Sequence, residues 1–115
     1  MDNKVNGWLD DILRSIDEIA VFLPRQSNFL EFQKDLKTKK AIERNIEIIG
    51  EAVNRLISYK KEKILIKNAK QIIGTRNRII HEYDKISDEI IWTIVIRELP
   101  KLKEEILQIN KSKGS

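Results

Sequence analysis

Apolar residues recur along most of this chain at helical spacing. Val5, Trp8, Leu9, Ile12, Leu13, Ile16, Ile19, Ala20 and Leu23 form one continuous stripe, which predicts a helix from about Val5 to Leu23. Asp10, Asp11, Arg14, Asp17 and Glu18 fall mainly off the stripe, and Pro24 stops it. Ser27 is placed to cap a short helical segment holding Phe29, Leu30 and Phe32. A long helix follows from about Asp35 to Tyr59, with Ile42, Ile46, Ile49, Val53, Leu56 and Ile57 on its stripe. Gly50 interrupts that helix at a cost of ~1 kcal/mol relative to alanine. A glycine at such a position points to a close approach by another backbone.

Lys60 to Lys67 reads as a basic connection. Its apolar patch Ile64-Leu65-Ile66 resembles a strand, but no second strand pattern exists to pair with it. Asn68 is placed to cap a third helix carrying Ile72, Ile73, Ile79 and Ile80, which ends near His81 to Asp84. Ser87 or Asp88 caps a last helix reaching about Asn110, with Ile91, Trp92, Val95, Leu99, Leu102, Ile106 and Ile109 as core positions. Pro100 is expected to kink it. The fold class expected is all-α: an antiparallel bundle of four main helices plus a short helix. Residues 1–110 are expected to form a single helical domain, followed by a disordered tail over 111–115.

Composition narrows the chemistry. No apolar run approaches the ~20 residues needed to cross a bilayer, and the first residues lack a signal peptide's apolar stretch, so the expected location is cytoplasmic. The absence of cysteine excludes disulfides and thiolate metal sites, and a single histidine excludes a His-rich metal site within one chain. No metal site and no cofactor are expected. The net charge of +4 is unevenly placed. Residues 58–115 carry 13 Lys/Arg against 8 Asp/Glu, and Ser58 to Arg78 alone carries 7 basic residues against Glu62. Such an excess attracts polyanions such as nucleic acid, or is simply a solvated Lys-rich loop.

The segment Arg76 to Tyr83 reads R-N-R-I-I-H-E-Y and holds the only histidine. RNA cleavage by transesterification needs a base for the 2′-hydroxyl, an acid for the leaving oxygen and a cation for the crowded phosphate. An imidazole, with an unperturbed pKa of ~6.5, can move the protons. A guanidinium holds phosphate oxygens with two parallel hydrogen bonds. Five residues on an ideal helix turn through about 140°. For Arg76 and His81 to face one phosphate, the helix must therefore bend or end near His81. One imidazole per chain cannot be acid and base together, whereas two copies of His81 across a homodimer could be. On spacing alone, a structural hydrogen-bond cluster at a helix end is the commoner explanation.

The segment resembles the R-x-x-x-x-H-x-Y signature of the HepT-like toxins of the HEPN superfamily, here Arg76, His81 and Tyr83, with Asn77 at the usual polar position. Ile48-Ile49-Gly50-Glu51-Ala52-Val53 is similar to that family's I-G-E-A-V helix. Ile90-Ile91-Trp92 and Leu99-Pro100-Lys101-Leu102 are similar to its I-x-W and L-P-x-L segments. The likeness covers roughly residues 8–107. It implies a HEPN-like homodimer with both motifs lining one cleft. It also implies a metal-independent endoribonuclease toxin of a type VII-like toxin–antitoxin pair, with Arg76, Asn77 and His81 catalytic. The implied partner is an MntA-like nucleotidyltransferase antitoxin that transfers AMP to Tyr83, which places a bulky anion beside the Arg76–His81 pair.

By the resemblance a small residue is expected at position 82 and a tryptophan shortly before the signature, where this chain has Glu82 and Asn68-Ala69-Lys70. Arg44, Asn45 and Glu51 are candidates to line the cleft, and Arg78 to contact RNA. Trp8 and Trp92 read as core rather than base-stacking residues. The alternative function is a non-catalytic helical RNA- or nucleotide-binding module that docks a nucleotidyltransferase.

Overall fold

The computed structural model describes residues 2–24, 27–82 and 86–113. Its elements are α1 (Asn3–Phe22), α2 (Phe29–Lys34), α3 (Leu36–Ser58), α4 (Ala69–His81), α5 (Asp88–Thr93), a π-helical turn (Ile94–Glu98) and α6 (Leu99–Lys113). The described residues contain no strand, so the chain is all-helical as its periodicity predicts. No helix among them is long and apolar enough to cross a membrane.

Local chemistry sets most helix starts. Asp2 caps α1 by accepting from the Lys4 N–H at 2.8 Å. The cap of α2 is Asn28, one residue later than the expected Ser27. Asn28 accepts from the Glu31 N–H at 2.9 Å and its amide donates to the Glu31 carboxylate at 3.0 Å. That reciprocal pair satisfies an otherwise orphaned donor, and Ser27 lacks the register for it. Asp35 caps α3 through the Thr38 N–H and hydroxyl. Ser87 caps α5 through the Ile90 N–H. Asn68 occupies the cap position of α4, but its side chain turns away. It donates instead to the carbonyl and carboxylate of buried Glu98, at 3.0 and 3.1 Å.

At Pro100, where a kink is expected, the last helix is preceded by the π turn. The N–H of Leu99 bonds the Ile94 carbonyl, five residues back. The wider π turn accommodates the missing donor and the ring's clash with the preceding turn. The helix expected to reach about Asn110 runs to Lys113.

Helix α3 is the central element, packed against both α1 and α4, while α1 also meets α6. The apolar stripes read from the sequence meet here. Val5, Leu9 and Ile12 of α1, Ile42, Ile46, Ile49 and Val53 of α3, Ile72 of α4 and Leu102 and Ile106 of α6 are fully buried. In the α3–α4 connection Ile64 and Ile66 are buried while Leu65 between them is exposed. The patch therefore anchors a loop to the core. Trp92 packs on Phe29 and Phe32, which fastens α2 to α5.

Two expected outcomes arise from this packing. A Cβ added at Gly7 or Gly74 meets nothing within 4 Å, so only helix propensity changes. Gly7→Ala and Gly74→Ala should each stabilise the fold by about 0.5–1 kcal/mol, read as a higher Tm in thermal unfolding. Separately, hydrogen bonds hold two cap carboxyls below their ordinary value of 3.8. Asp2 is lowered first by the Tyr59 hydroxyl and then by the Lys4 N–H, and Asp35 by the Thr38 hydroxyl and then its N–H. A depressed folded-state pKa contributes stability above the unfolded value and loses it as pH falls through the folded one. Asp2→Asn and Asp35→Asn should therefore lose less stability than wild type as pH falls through 3.8 and below, measured by urea unfolding.

Candidate functional site

Helices α1, α3 and α4 border an open cleft of about 510 Å³. Its ridge is one face of α3: Arg44, Glu47, Ile48, Glu51 and Arg55 recur every three or four residues and so share that face. Trp8 and Asp11 of α1 form one wall, and Arg76 and Ile80 of α4 form the other. Trp8 touches the core cluster and stacks edge-on against Tyr59 at 5.3 Å, while also facing the cleft.

Arg76 is the best-defined side chain of this cleft. Gly50 of α3 lies directly beneath its stem. A Cβ built on Gly50 would come within 2.4 Å of the Arg76 Cβ and 2.6 Å of its Cγ. The close approach at this glycine is therefore by the side-chain stem of the signature arginine and not, as expected, by another backbone. The next residue, Glu51, completes the cradle by accepting from Arg76 Nη2 at 2.9 Å. Asn77 accepts from Arg76 Nη1 at 2.8 Å. The guanidinium is held at both ends, and its Nε is buried without a hydrogen-bond partner among the described residues. Glu51 is shared, since its other oxygen accepts from Arg55 Nε at 2.9 Å.

The remaining candidates are placed differently. His81 is the last residue of α4 and exposed, and it is not among the cleft's lining residues. The helix remains regular through Ile80, so the angular separation from Arg76 is kept rather than bent away. Asn77 is exposed beside Arg76. Arg78 points elsewhere. It pairs with Glu82 at 3.5 Å and lines a separate pocket with Lys70 and Glu89. Two residues along a helix turn through about 200°, which carries Arg78 off the Arg76 face. The Glu82 carboxylate is engaged by that pair.

Asn45 does not line the cleft. It is 4% exposed, and its amide donates to the Ala41 carbonyl at 3.0 Å. It lies on the apolar face of α3 with Ile42, Ile46 and Ile49, whereas Arg44 and Glu51, seven residues apart, share the cleft face. Tyr83 lies outside the described residues. Sequence reasoning missed Arg55. Its signal was the polar repeat 44, 47, 51, 55 opposite the apolar stripe.

Residues 12–109 match the family model described as Ribonuclease HepT-like. The chain belongs to the HepT-like family. A Methanocaldococcus jannaschii protein named "Putative RNase" is 40% identical over 107 residues, covering 93% of this chain and 88% of that protein. A protein of the same printed description from Caldanaerobacter subterraneus subsp. tengcongensis is 34% identical over 102 residues, covering 89% and 90%. The "Probable ribonuclease HepT" of Thermococcus cleftensis is 30% identical over 111 residues, covering 96% of this chain and 100% of its own length. No solved structure matches the chain. The HepT-like match spans the I-G-E-A-V helix, the cleft arginines and the Arg76–His81 segment together.

Proposed function

We propose that this HepT-like protein is a metal-independent endoribonuclease acting as a homodimer, with Arg76, Asn77 and His81 as its catalytic residues. The observation that carries this reading is the cradled guanidinium of Arg76. Glycine, glutamate and asparagine combine to fix its position at the edge of an open cleft. An arginine used only to join two helices needs no cleft in front of it.

The chemistry follows from the groups available. Arg76 binds the non-bridging oxygens of the scissile phosphate and offsets the charge that builds on them. A neutral imidazole takes the proton from the 2′-hydroxyl, whose oxygen then attacks phosphorus. A protonated imidazole gives a proton to the departing 5′-oxygen, leaving a 2′,3′-cyclic phosphate. Asn77 steadies Arg76. His81 is exposed at the end of α4, a position suited to meeting the same residue of a second copy, so a twofold pairing supplies both imidazoles. HEPN-like pairing of a single domain over residues 1–110 would also offer the substrate an Arg76 from each copy.

The same reading makes this chain the toxin of a type VII-like toxin–antitoxin pair, which rests on the family resemblance. A cognate MntA-like nucleotidyltransferase would join the Tyr83 hydroxyl to the α-phosphate of ATP and release pyrophosphate. Tyr83 follows His81 by two residues, so the added AMP would set a bulky anion close in sequence to the imidazole and hinder RNA from reaching it.

The test is RNA cleavage in EDTA. Wild type should yield cyclic-phosphate ends, and His81→Ala should lower the rate by about 10²–10⁴. RNA binding of equal strength in both proteins with no cleavage by either would make the protein a binding module. AMP addition is read as a mass increase on Tyr83 after incubation with the transferase and ATP, absent in Tyr83→Phe.

A further inference from the structure

The cleft holds a charge arrangement that the signature does not explain. Its lining contains three arginines and three carboxylates. Arg44 pairs with Glu47 along α3 at 3.4 Å, and Asp11 pairs with Arg14 of its own helix at 3.5 Å. That leaves Glu51 alone between Arg55 and Arg76, at 2.9 Å from each. One carboxylate thus serves two cations, and the group carries one positive charge in excess. A phosphodiester carries one negative charge.

The geometry also separates the two arginines. Arg76 is held from three sides, with a quarter of its side chain exposed. Arg55 is more than half exposed and, among the described residues, is held only through Nε, which leaves its two terminal nitrogens facing solvent and the cleft. Glu51 is itself 39% exposed, so its i,i+4 contact with Arg55 is of the weak surface kind that an incoming anion displaces. A guanidinium can grip a phosphate with two parallel hydrogen bonds, whereas Arg55 makes a single one to Glu51.

We propose that Glu51 is a positioning residue that aligns Arg76 and Arg55 and yields to an RNA phosphate, making Arg55 a second phosphate-binding cation of the cleft. This rests on the ribonuclease reading and extends it to a neighbouring phosphate. Helix α3 rises about 1.5 Å per residue, so its cleft face from Arg44 to Arg55 runs roughly 16 Å. Each phosphate of a duplex strand advances about 3.4 Å along the helix axis, so a strand lying along that face presents more than one.

The experiment measures binding of an RNA oligonucleotide across a salt titration, with His81→Ala present so that nothing is cleaved. Arg55→Ala should reduce the magnitude of the log K against log salt slope by about 1 and weaken binding about eightfold at 0.1 M salt, the effect of one lost phosphate contact. Arg55→Lys should keep the slope. Glu51→Gln removes the competing anion and should tighten binding. In the cleaving protein it should lower KM and kcat together, because Arg76 loses its alignment. A merely structural Glu51 would leave KM and the salt slope where they are. If Glu51→Gln fails to fold, the two Arg55 slopes decide. An unchanged slope in Arg55→Ala, or weaker binding in Glu51→Gln, overturns the inference while the cleavage assay still stands. A wild type that neither binds nor cleaves RNA overturns the ribonuclease reading and this inference with it.

Discussion

Arg76→Ala is expected to lower kcat for RNA cleavage by about 10²–10³ with the helical fold intact. The guanidinium contributes most when charge accumulates on the phosphate, so the loss should fall on kcat more than on KM. The stability effect should be small. Glu51 keeps Arg55 as a partner, and both carboxylate and guanidinium are partly solvated, which limits their pair to about 1 kcal/mol. The substitution also removes the buried, unpaired Nε. Arg76→Lys should not rescue. A lysine carries the charge but has one donor centre, and it cannot reach Glu51 and Asn77 while presenting a planar fork to phosphate. Single-turnover cleavage together with circular dichroism checks both halves. Rapid cleavage by Arg76→Ala would remove the arginine from the mechanism.

Gly50→Ala should have the largest effect on the fold itself. Alanine gains about 1 kcal/mol of helix propensity, yet the added methyl meets the Arg76 Cβ at 2.4 Å. Both carbons are fixed to helical backbones, so neither can rotate aside and α3 must move from α4. Overpacking of this kind costs about 1–3 kcal/mol or more, and the clash outweighs the propensity. A drop in Tm of roughly 4–10 °C is expected, with cleavage impaired because Arg76 is displaced from Glu51. Combining Gly50→Ala with Arg76→Gly removes the opposing Cβ. The double variant should be less unstable than the two single losses added together. Additive losses would mean the helices do not meet at this pair. The contrast with Gly7→Ala and Gly74→Ala isolates the contact from any general effect of glycine in a helix.

Much of the fold was legible in one dimension. The apolar stripes of α1, α3, α4 and α6 are the buried faces, because a helical period alone determines which residues share a side. Helix starts at Asp35 and Ser87 were equally visible, because capping is a contact between residues three positions apart. The same period contained two signals for the site. It separated Asn45, on the apolar face, from Arg44 and Glu51, and it aligned Arg55 with both. The error with Asn45 came from grouping residues by closeness in sequence rather than by angle.

Periodicity alone set the helical class and the faces to be buried. Only the tertiary structure decided that Gly50 would receive Arg76, that Glu51 would bridge two arginines from different helices, and that Asn68 would serve Glu98 instead of its own helix end. Periodicity fixes the direction in which a side chain leaves its helix. It does not fix which helix stands opposite or at what height, because that register depends on how whole apolar faces pack against each other.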